Sequence, residues 1–146
     1  MKLSILQSNL LRALAVLAAS KTSPLPVLGN VLIRTNGGRV EVCSTNLDMW
    51  IIATCGARIE EEGAITVPAI KLRDYVQSLP DGRLELVADY KVQSLTVSYG
   101  GVKSATIKGI DAEEFPVMPQ VPEGGTMADG DAMKKAIAEL LKVKLQ

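Results

Sequence analysis

Hydrophobic and polar residues alternate along the chain in a way that predicts short strands separated by amphipathic helices. Residues 2–6 form the first predicted strand. In residues 8–19, leucines recur at three- and four-residue steps, a spacing that places them on one face of a helix. Ser8 is expected to cap the start of this helix, and Pro24 lies just beyond its predicted end.

Three strands are predicted after the first helix. They cover residues 27–34, 39–44 and 48–59, and the last is either one long strand or a bent pair. Asn36-Gly37-Gly38 is a typical hairpin turn between the first two. The acidic run at 60–62, followed by Gly63, is predicted to form a charged turn.

The same order of elements then begins again. A strand over residues 64–67 leads to a helix that starts at Pro68, a position where proline is tolerated. The apolar stripe of this helix consists of Leu72, Tyr75, Val76 and Leu79. The strands that follow are predicted over residues 83–88, 92–99 and 102–108. The chain therefore has a duplicated β-α-β-β-β unit of the α+β class, with two helices on two four-stranded antiparallel sheets.

A third repeat of the pattern begins near Thr126. Residues 126–128 are a predicted strand, and Asp131 opens a predicted helix. The apolar stripe of that helix consists of Met133, Ile137, Leu140 and Leu141. The three predicted helices start about sixty residues apart, which indicates a structural repeat. Residues 111–125 hold three prolines and two glycines and are predicted to link two domains, at 1–120 and 121–146.

The amino-acid composition excludes several kinds of catalytic and metal site. The chain has 146 residues, 47% of them hydrophobic and 22% charged, which is enough apolar material for a core. It has no histidine, so a Ser-His-Asp triad and histidine-ligated metals are excluded, and we expect no metal or cofactor. Sixteen basic and sixteen acidic residues cancel, so any contact with DNA must come from local charge or from shape.

The two cysteines and the N-terminus give further expectations. Cys43 and Cys55 lack the spacing of a metal site and are predicted to be buried in strands, with a disulfide as the weaker alternative. The first residues do not have the pattern of a signal peptide, and no apolar run is long enough to span a membrane. We therefore expect a cytoplasmic protein with no membrane partner.

Four short motifs resemble the N-terminal domain of the bacterial beta sliding clamp family, the beta subunit of DNA polymerase III. They are Leu25-Pro26-Val27-Leu28-Gly29-Asn30-Val31-Leu32, Thr45-Asn46-Leu47-Asp48-Met49, Gly63-Ala64-Ile65-Thr66-Val67-Pro68-Ala69, and Phe115-Pro116 after Ile110-Asp111-Ala112. They occur in the family's order and cover residues 1 to about 120. Residues 126–141 resemble the first strand and helix of the family's middle domain.

The resemblance implies a fold and a function. Members of the family form a ring of six such domains from two chains, with helices lining the hole and sheets outside. The ring slides on duplex DNA, tethers polymerase and catalyses nothing. The resemblance therefore implies a DNA sliding clamp, that is, a replication processivity factor or a fragment of one. Its partners would be duplex DNA, a DNA polymerase, a clamp loader and further copies of the chain, although the family's peptide pocket lies beyond the position of Gln146.

The resemblance also implies candidate site residues. The DNA-facing candidates are Arg12, Lys21, Thr22, Lys71, Arg73, Lys134 and Lys135. Thr22 stands where the family often has an arginine that contacts DNA. The candidates for a dimer face are Lys71, Tyr75, Leu79, Ala105 and Ile107, of which Tyr75 and Leu79 are equally consistent with ordinary core positions. Ala105 is small where relatives often place a bulky apolar residue.

Trp50 departs from the family's pattern. In the predicted strand it shares one face with Ile52, while Ile51 and Ala53 make the other face apolar as well. Trp50 either lies beneath a loop or the C-terminal segment, or belongs to a self-association patch. The alternative to a clamp is therefore a protein-interaction or self-association module that keeps the fold without forming a ring. A small enzyme is a third hypothesis, but the sequence has no phosphate loop, nucleophile motif or catalytic carboxylate pair.

Overall fold

The computed structural model describes residues 1–17 and 25–144, which form nine strands and three α-helices. The strands are β1 Lys2–Leu6, β2 Asn30–Asn36, β3 Arg39–Thr45, β4 Trp50–Gly56, β5 Arg58–Glu61, β6 Ala64–Pro68, β7 Arg83–Asp89, β8 Ser94–Tyr99 and β9 Lys103–Lys108. The helices are α1 Gln7–Ala15, α2 Ala69–Ser78 and α3 Gly130–Lys144. Short 3-10 helices occupy Pro26–Gly29 and Ala112–Glu114.

The strands form two antiparallel sheets that interlock the two halves of the chain. Sheet A has the order β5-β1-β7-β8-β9, and sheet B has the order β4-β3-β2-β6. Each half lends its first strand to the other half's sheet, since β1 pairs with β7 and β6 pairs with β2. The predicted α+β class and antiparallel sheets are confirmed. The prediction of four strands in each sheet is wrong for sheet A, because β5 adds a fifth strand beside β1.

The long predicted strand at 48–59 is a bent pair, as one of its two alternatives proposed. β4 lies in sheet B, the chain turns at Ala57, and β5 crosses to sheet A. The predicted acidic turn is shorter than expected, because β5 extends to Glu61, opposite Lys2. Lys2 Nζ also lies 3.2 Å from a carboxylate oxygen of Glu60, which supports this edge of the sheet.

The inner faces of both sheets and the buried faces of α1 and α2 share one hydrophobic core. Leu10 of α1 and Leu72 of α2 are fully buried, and the two helices pack side by side. Gln7 joins them at one end: its side-chain amide donates to the carbonyls of Val76 at 3.0 Å and Leu79 at 3.4 Å. Its backbone N–H donates to Gly82 at 2.7 Å. The helix pair is thus held by packing and by hydrogen bonds.

Two element boundaries differ from the predictions. Ser8 does not cap α1, because β1 runs directly into the helix and Leu6 occupies the cap position without a side-chain hydrogen bond. The helix ends at Ala15, short of the predicted 19, and residues 18–24 lie outside the described range. The strand predicted from residue 27 starts at Asn30, because Pro26 opens a 3-10 turn instead.

The C-terminal part of the described chain leaves the core after Phe115, which is buried. The strand predicted at 126–128 is wrong: these residues have no regular structure. The predicted helix forms from Gly130, with the carboxylate of Asp129 accepting a hydrogen bond from Asp131 N–H at 3.0 Å. Each side chain described in α3 is exposed, so its apolar stripe is not buried in the described structure.

Candidate nucleic-acid interface

The helix pair presents a solvent-exposed face, and its α1 side adjoins β4 of sheet B, where Arg12 borders a pocket with Thr54. Buried residues of α1 and α2 recur at three- and four-residue steps and hold the opposite side of each helix against the core. The exposed side of α1 carries Arg12 beside small residues. The exposed side of α2 carries Lys71 and Asp74. This face is therefore mainly polar and modestly basic, although Ile70 of α2 is also exposed.

The basic candidates on this face are not equivalent. Arg12 and Lys71 are exposed, and no ion pair is recorded for either in the described residues. Arg73 is half-buried, and its guanidinium lies 3.7 Å from the Asp74 carboxylate. Because Asp74 partly neutralises Arg73, Arg12 and Lys71 are the cations best placed to meet a phosphate.

The remaining DNA-facing candidates lie elsewhere. Lys134 and Lys135 are exposed on α3, which lies in a different part of the chain from the helix pair. Lys21 and Thr22 fall outside the described residues. The structure therefore brings together three of the seven predicted positions, Arg12, Lys71 and Arg73, on adjacent helices.

The described residues contain no group of three or more potential metal ligands among Cys, Asp and Glu. Both cysteines are free and buried, as predicted. Burial raises the pKa of the Cys43 thiol to about 11 and also raises the pKa of Cys55. Since a thiol reacts as its thiolate, neither cysteine is placed to act as a nucleophile.

The predicted dimer face is only partly accessible. Leu79 and Ile107 are 6% and 8% exposed and belong to the main core, so they have little surface to offer a partner. Tyr75 is half-buried and packs against the same core. Lys71 is exposed and Ala105 half-buried. The core alternative for Leu79 is therefore the one that the structure shows.

Trp50 lies at the start of β4, which is an edge strand of sheet B. Its ring is half-buried, and its indole N–H is buried without a hydrogen-bond partner among the described residues. Its neighbours Met49 and Ile52 are 56% and 40% exposed. An apolar edge of the sheet therefore faces solvent here.

The outer faces of the two sheets differ in polarity. On sheet A the outer positions are mainly polar, and the hydroxyls of Thr96 and Thr106 lie 3.0 Å apart across β8 and β9. On sheet B, Leu32 and Cys43 are neighbours across β2 and β3, and Phe115 packs over them. The segment after Phe115 borders a groove of about 1170 Å³ on this side.

The sequence did not predict that Phe115, Leu32 and Cys43 pack together on the outer face of sheet B. The signal available was that Phe115 is the only phenylalanine in the chain and sits at the start of the proline-rich connector. An aromatic residue at such a junction often anchors the segment to the preceding domain.

None of the three helices, over their described residues, is long and apolar enough to cross a membrane.

Comparisons with known proteins agree on one family. A family model for the N-terminal domain of the DNA polymerase III beta subunit matches residues 1–119. The beta sliding clamp of Synechocystis sp. is 33% identical over 132 residues, which cover 83% of this chain and 33% of the relative. The crystal structure of the sliding clamp from Caulobacter crescentus matches this chain with a TM-score of 0.77 at 33% identity. The match covers 82% of this chain and 33% of the Caulobacter chain.

A second solved structure is also similar to this chain over most of its length. The DNA polymerase III subunit beta of Pseudomonas aeruginosa has a TM-score of 0.76 at 31% identity, over 85% of this chain and 34% of its own. The chain thus spans about a third of the length of the relatives that it matches.

Proposed function

The chain belongs to the DNA polymerase III beta subunit family, and from that membership we propose that it serves as a segment of a sliding clamp. In that role it contributes one stretch of a ring around duplex DNA, with α1 and α2 facing the DNA and the sheets facing outwards. It raises the processivity of a polymerase and performs no chemistry of its own. The observation that carries the proposal is the exposed, modestly basic face of the helix pair.

The charge of this face suits sliding. A protein that holds DNA by encircling it needs only weak contacts with phosphates, and tight or base-specific contacts would slow its movement. Arg12 and Lys71 supply two such contacts, and the net charge of the whole chain is zero. The expected affinity for linear duplex is therefore low and falls as salt rises.

The domain division and the partners are part of the same proposal. Residues 1–120 form one clamp domain, and 121–146 begin the next; the last buried residue of the core, Phe115, and the exposed α3 support this division. The clamp acts in the cytoplasm with a DNA polymerase and a clamp loader. The surface beside α2 and β9, with Lys71 and Ala105 accessible, would meet a neighbouring clamp domain.

Retention on DNA of different topology tests the ring. The full chain would be loaded at high concentration on closed circular duplex and on the same duplex after linearisation, and its loss followed by gel filtration. A clamp stays on the circle and leaves the linear form through its ends. Equal loss from both forms would reject the ring for this chain.

Charge reversal tests which face meets the DNA. We expect Arg12→Glu with Lys71→Glu to abolish the salt-sensitive association with duplex. The matched control is Lys91→Glu, because Lys91 is exposed in the turn between β7 and β8, at the opposite end of β7 from Arg83, which pairs with Leu6 at the start of α1. If the control weakens binding as much as an Arg12 or Lys71 reversal, the helix pair is not the DNA-facing surface.

A second candidate function is a protein-interaction module with the clamp fold but no ring. The apolar edge at Trp50 and Ile52 favours it, since such an edge offers a surface to a protein partner. Under this alternative the chain would be lost from circular and linear DNA at the same rate. The charge reversals at Arg12 and Lys71 would not change its binding to a protein partner.

A further inference from the structure

The chain has four asparagines, and only Asn36 is followed by glycine. A backbone nitrogen can attack the side-chain carbonyl of the preceding asparagine, and a side chain on the attacking residue obstructs this approach. Glycine has no side chain, so the nitrogen of Gly37 can approach closely. Asn9, Asn30 and Asn46 precede leucine, valine and leucine. The sequence therefore identifies Asn36 as the asparagine most prone to this reaction.

Asn36 is the last residue of β2, and it pairs with Arg39 across a tight turn. The turn residues Gly37 and Gly38 have φ of 59° and 81°, the positive values that this kind of hairpin requires. Both glycines are exposed, and a Cβ on either would meet no atom within 4 Å. The N–H of Gly37 donates no hydrogen bond within the described residues. The attacking nitrogen is therefore open to solvent and to base.

The other three asparagines are held in place by the fold. Asn30 is 5% exposed, and its side-chain amide donates to Thr66 Oγ1 at 3.1 Å. The side-chain oxygen of Asn46 accepts a hydrogen bond from the N–H of Met49 at 2.8 Å. Asn9 is half-buried within α1, where helical hydrogen bonds fix the backbone. The structure and the sequence thus agree that the asparagine at the turn is the exposed and reactive one.

Two features of the closed hairpin restrain the reaction at Asn36. Ring closure brings the nitrogen of Gly37 beside the side chain of Asn36, whereas an extended strand residue turns the next peptide unit away from its own side chain. The amide of Asn36 also donates to Glu41 at 3.0 Å, and Arg34 holds the other carboxylate oxygen at 2.6 Å. A carboxylate only accepts hydrogen bonds, so the amide nitrogen must be the atom that faces Glu41. The side chain is therefore bound away from the attacking nitrogen.

We propose that Asn36 is a modification site, at which opening of the β2–β3 hairpin leads to conversion of the asparagine to aspartate or isoaspartate, and that Glu41 restrains this reaction. In the open hairpin the deprotonated nitrogen of Gly37 bonds to Cγ of Asn36, and the bond from Cγ to Nδ2 breaks. Nδ2 takes up a proton and leaves as ammonia, which gives a cyclic succinimide. Water then opens the ring at the side-chain carbonyl to give aspartate, or at the backbone carbonyl to give isoaspartate. The reaction consumes only water.

Neither product restores the original hairpin. An ionised aspartate at position 36 has no proton to donate to Glu41, and it places a second negative charge beside that carboxylate. Isoaspartate carries the main chain through the side-chain carbon, which lengthens the backbone and disturbs the pairing with Arg39. The modified hairpin therefore closes less well, and the change is irreversible because the ammonia is lost.

Peptide mass spectrometry of the full chain tests the proposal. The folded chain and the chain in urea would be incubated at neutral and mildly alkaline pH and then digested with trypsin, which cuts after Arg34 and Arg39 and releases residues 35–39. The mass change from an amide to a carboxylic acid in that peptide reports the reaction, which we expect to be slower in the folded chain than in urea. Glu41→Ala should raise the rate in the folded chain about tenfold, because the hairpin opens more often without a hydrogen bond to a charged group.

Gln7→Ala is the matched control, because it removes hydrogen bonds between α1 and α2 and leaves those of the hairpin in place. We expect it to leave the rate in the folded chain unchanged. If Gln7→Ala accelerates the reaction as much as Glu41→Ala does, unfolding of the whole domain sets the rate and the proposal is overturned. The same holds if Glu41→Ala reacts no faster than the parent, if the folded parent reacts as fast as the chain in urea, or if another asparagine changes first. None of these outcomes depends on whether the chain encircles DNA.

Discussion

Helices α2 and α3 carry the same kind of apolar stripe, but only α2 buries it. Leu72 and Val76 of α2 are fully buried, whereas Leu140 and Leu141 of α3 are 69% and 56% exposed. Strands β6 and β9 pack beside α2, and no strand of the described chain covers α3. An apolar stripe therefore predicts a helix and the face that will be buried, but burial itself depends on the surfaces that the rest of the chain supplies.

Truncating one leucine in each helix gives the largest expected contrast. We expect Leu72→Ala to lower the free energy of unfolding by about 2–5 kcal/mol, because it removes apolar contacts and leaves a cavity in a packed core. Leu140→Ala should change it by about 0.5 kcal/mol or less, since the side chain is mostly exposed. Urea unfolding followed by fluorescence measures both. A large effect of Leu140→Ala would show that α3 packs on the domain.

The next largest effect is expected at the C-terminal end of α2, where a side chain of α1 donates hydrogen bonds to its carbonyls. Gln7 is 8% exposed and donates to the carbonyls of Val76 and Leu79. We expect Gln7→Ala to cost about 1–2 kcal/mol of unfolding free energy, because buried carbonyls lose their donor. Gln77→Ala is the control, because Gln77 lies on the exposed side of the same helix. Equal effects of the two changes in urea would contradict this role for Gln7.

A smaller and pH-dependent effect is expected from Glu41 on sheet B. Hydrogen bonds from Asn36 and from Arg34, at 3.0 Å and 2.6 Å, lower the pKa of Glu41 below its ordinary value of 4.5. Ionised Glu41 therefore stabilises the fold fully above that ordinary value, and this stability is lost as the pH falls through the lower pKa of the folded state. We expect Glu41→Gln to cost about 1 kcal/mol near neutral pH and progressively less in acid.

Chemical unfolding at a series of pH values measures this dependence. Glu139→Gln on exposed α3 is the matched control, and it should leave the unfolding midpoint unchanged at each pH. If the loss of unfolding free energy caused by Glu41→Gln becomes larger as the pH falls, the ionised carboxylate of Glu41 is not what stabilises the fold.

Much of the architecture follows from pattern alone. The periodicity of two in the strands and near four in the helices located α1, α2 and seven of the strands to within a few residues, because each buries one face; β4 and β5 fell in a single predicted segment at 48–59. The bend between β4 and β5 was one of two predicted alternatives, since Ala57 carries no turn signal that separates a long strand from a bent pair. The fifth strand of sheet A depends on that bend and could not be counted from the pattern.

The candidate site was predictable only in part. Arg12, Lys71 and Arg73 were candidates through the family resemblance and do lie on adjacent helices, but the ion pair of Arg73 with Asp74 joins neighbours that helix geometry does not bring face to face. Leu79 and Ile107 were candidates for a partner face, and they are core residues. An apolar residue in a stripe looks the same in sequence whether it packs inwards or against a partner, so only the structure separates the two.

The central claim is that the helix pair is the surface that meets DNA, and nuclear magnetic resonance tests it most directly. Amide shifts of the full chain would be recorded while a short duplex is added at low salt. We predict small, salt-sensitive shifts around Arg12, Lys71 and Arg73, with none on the outer face of sheet A at Ser4 and Glu85. Shifts confined to the sheet face, or no shifts at low salt, would contradict the account.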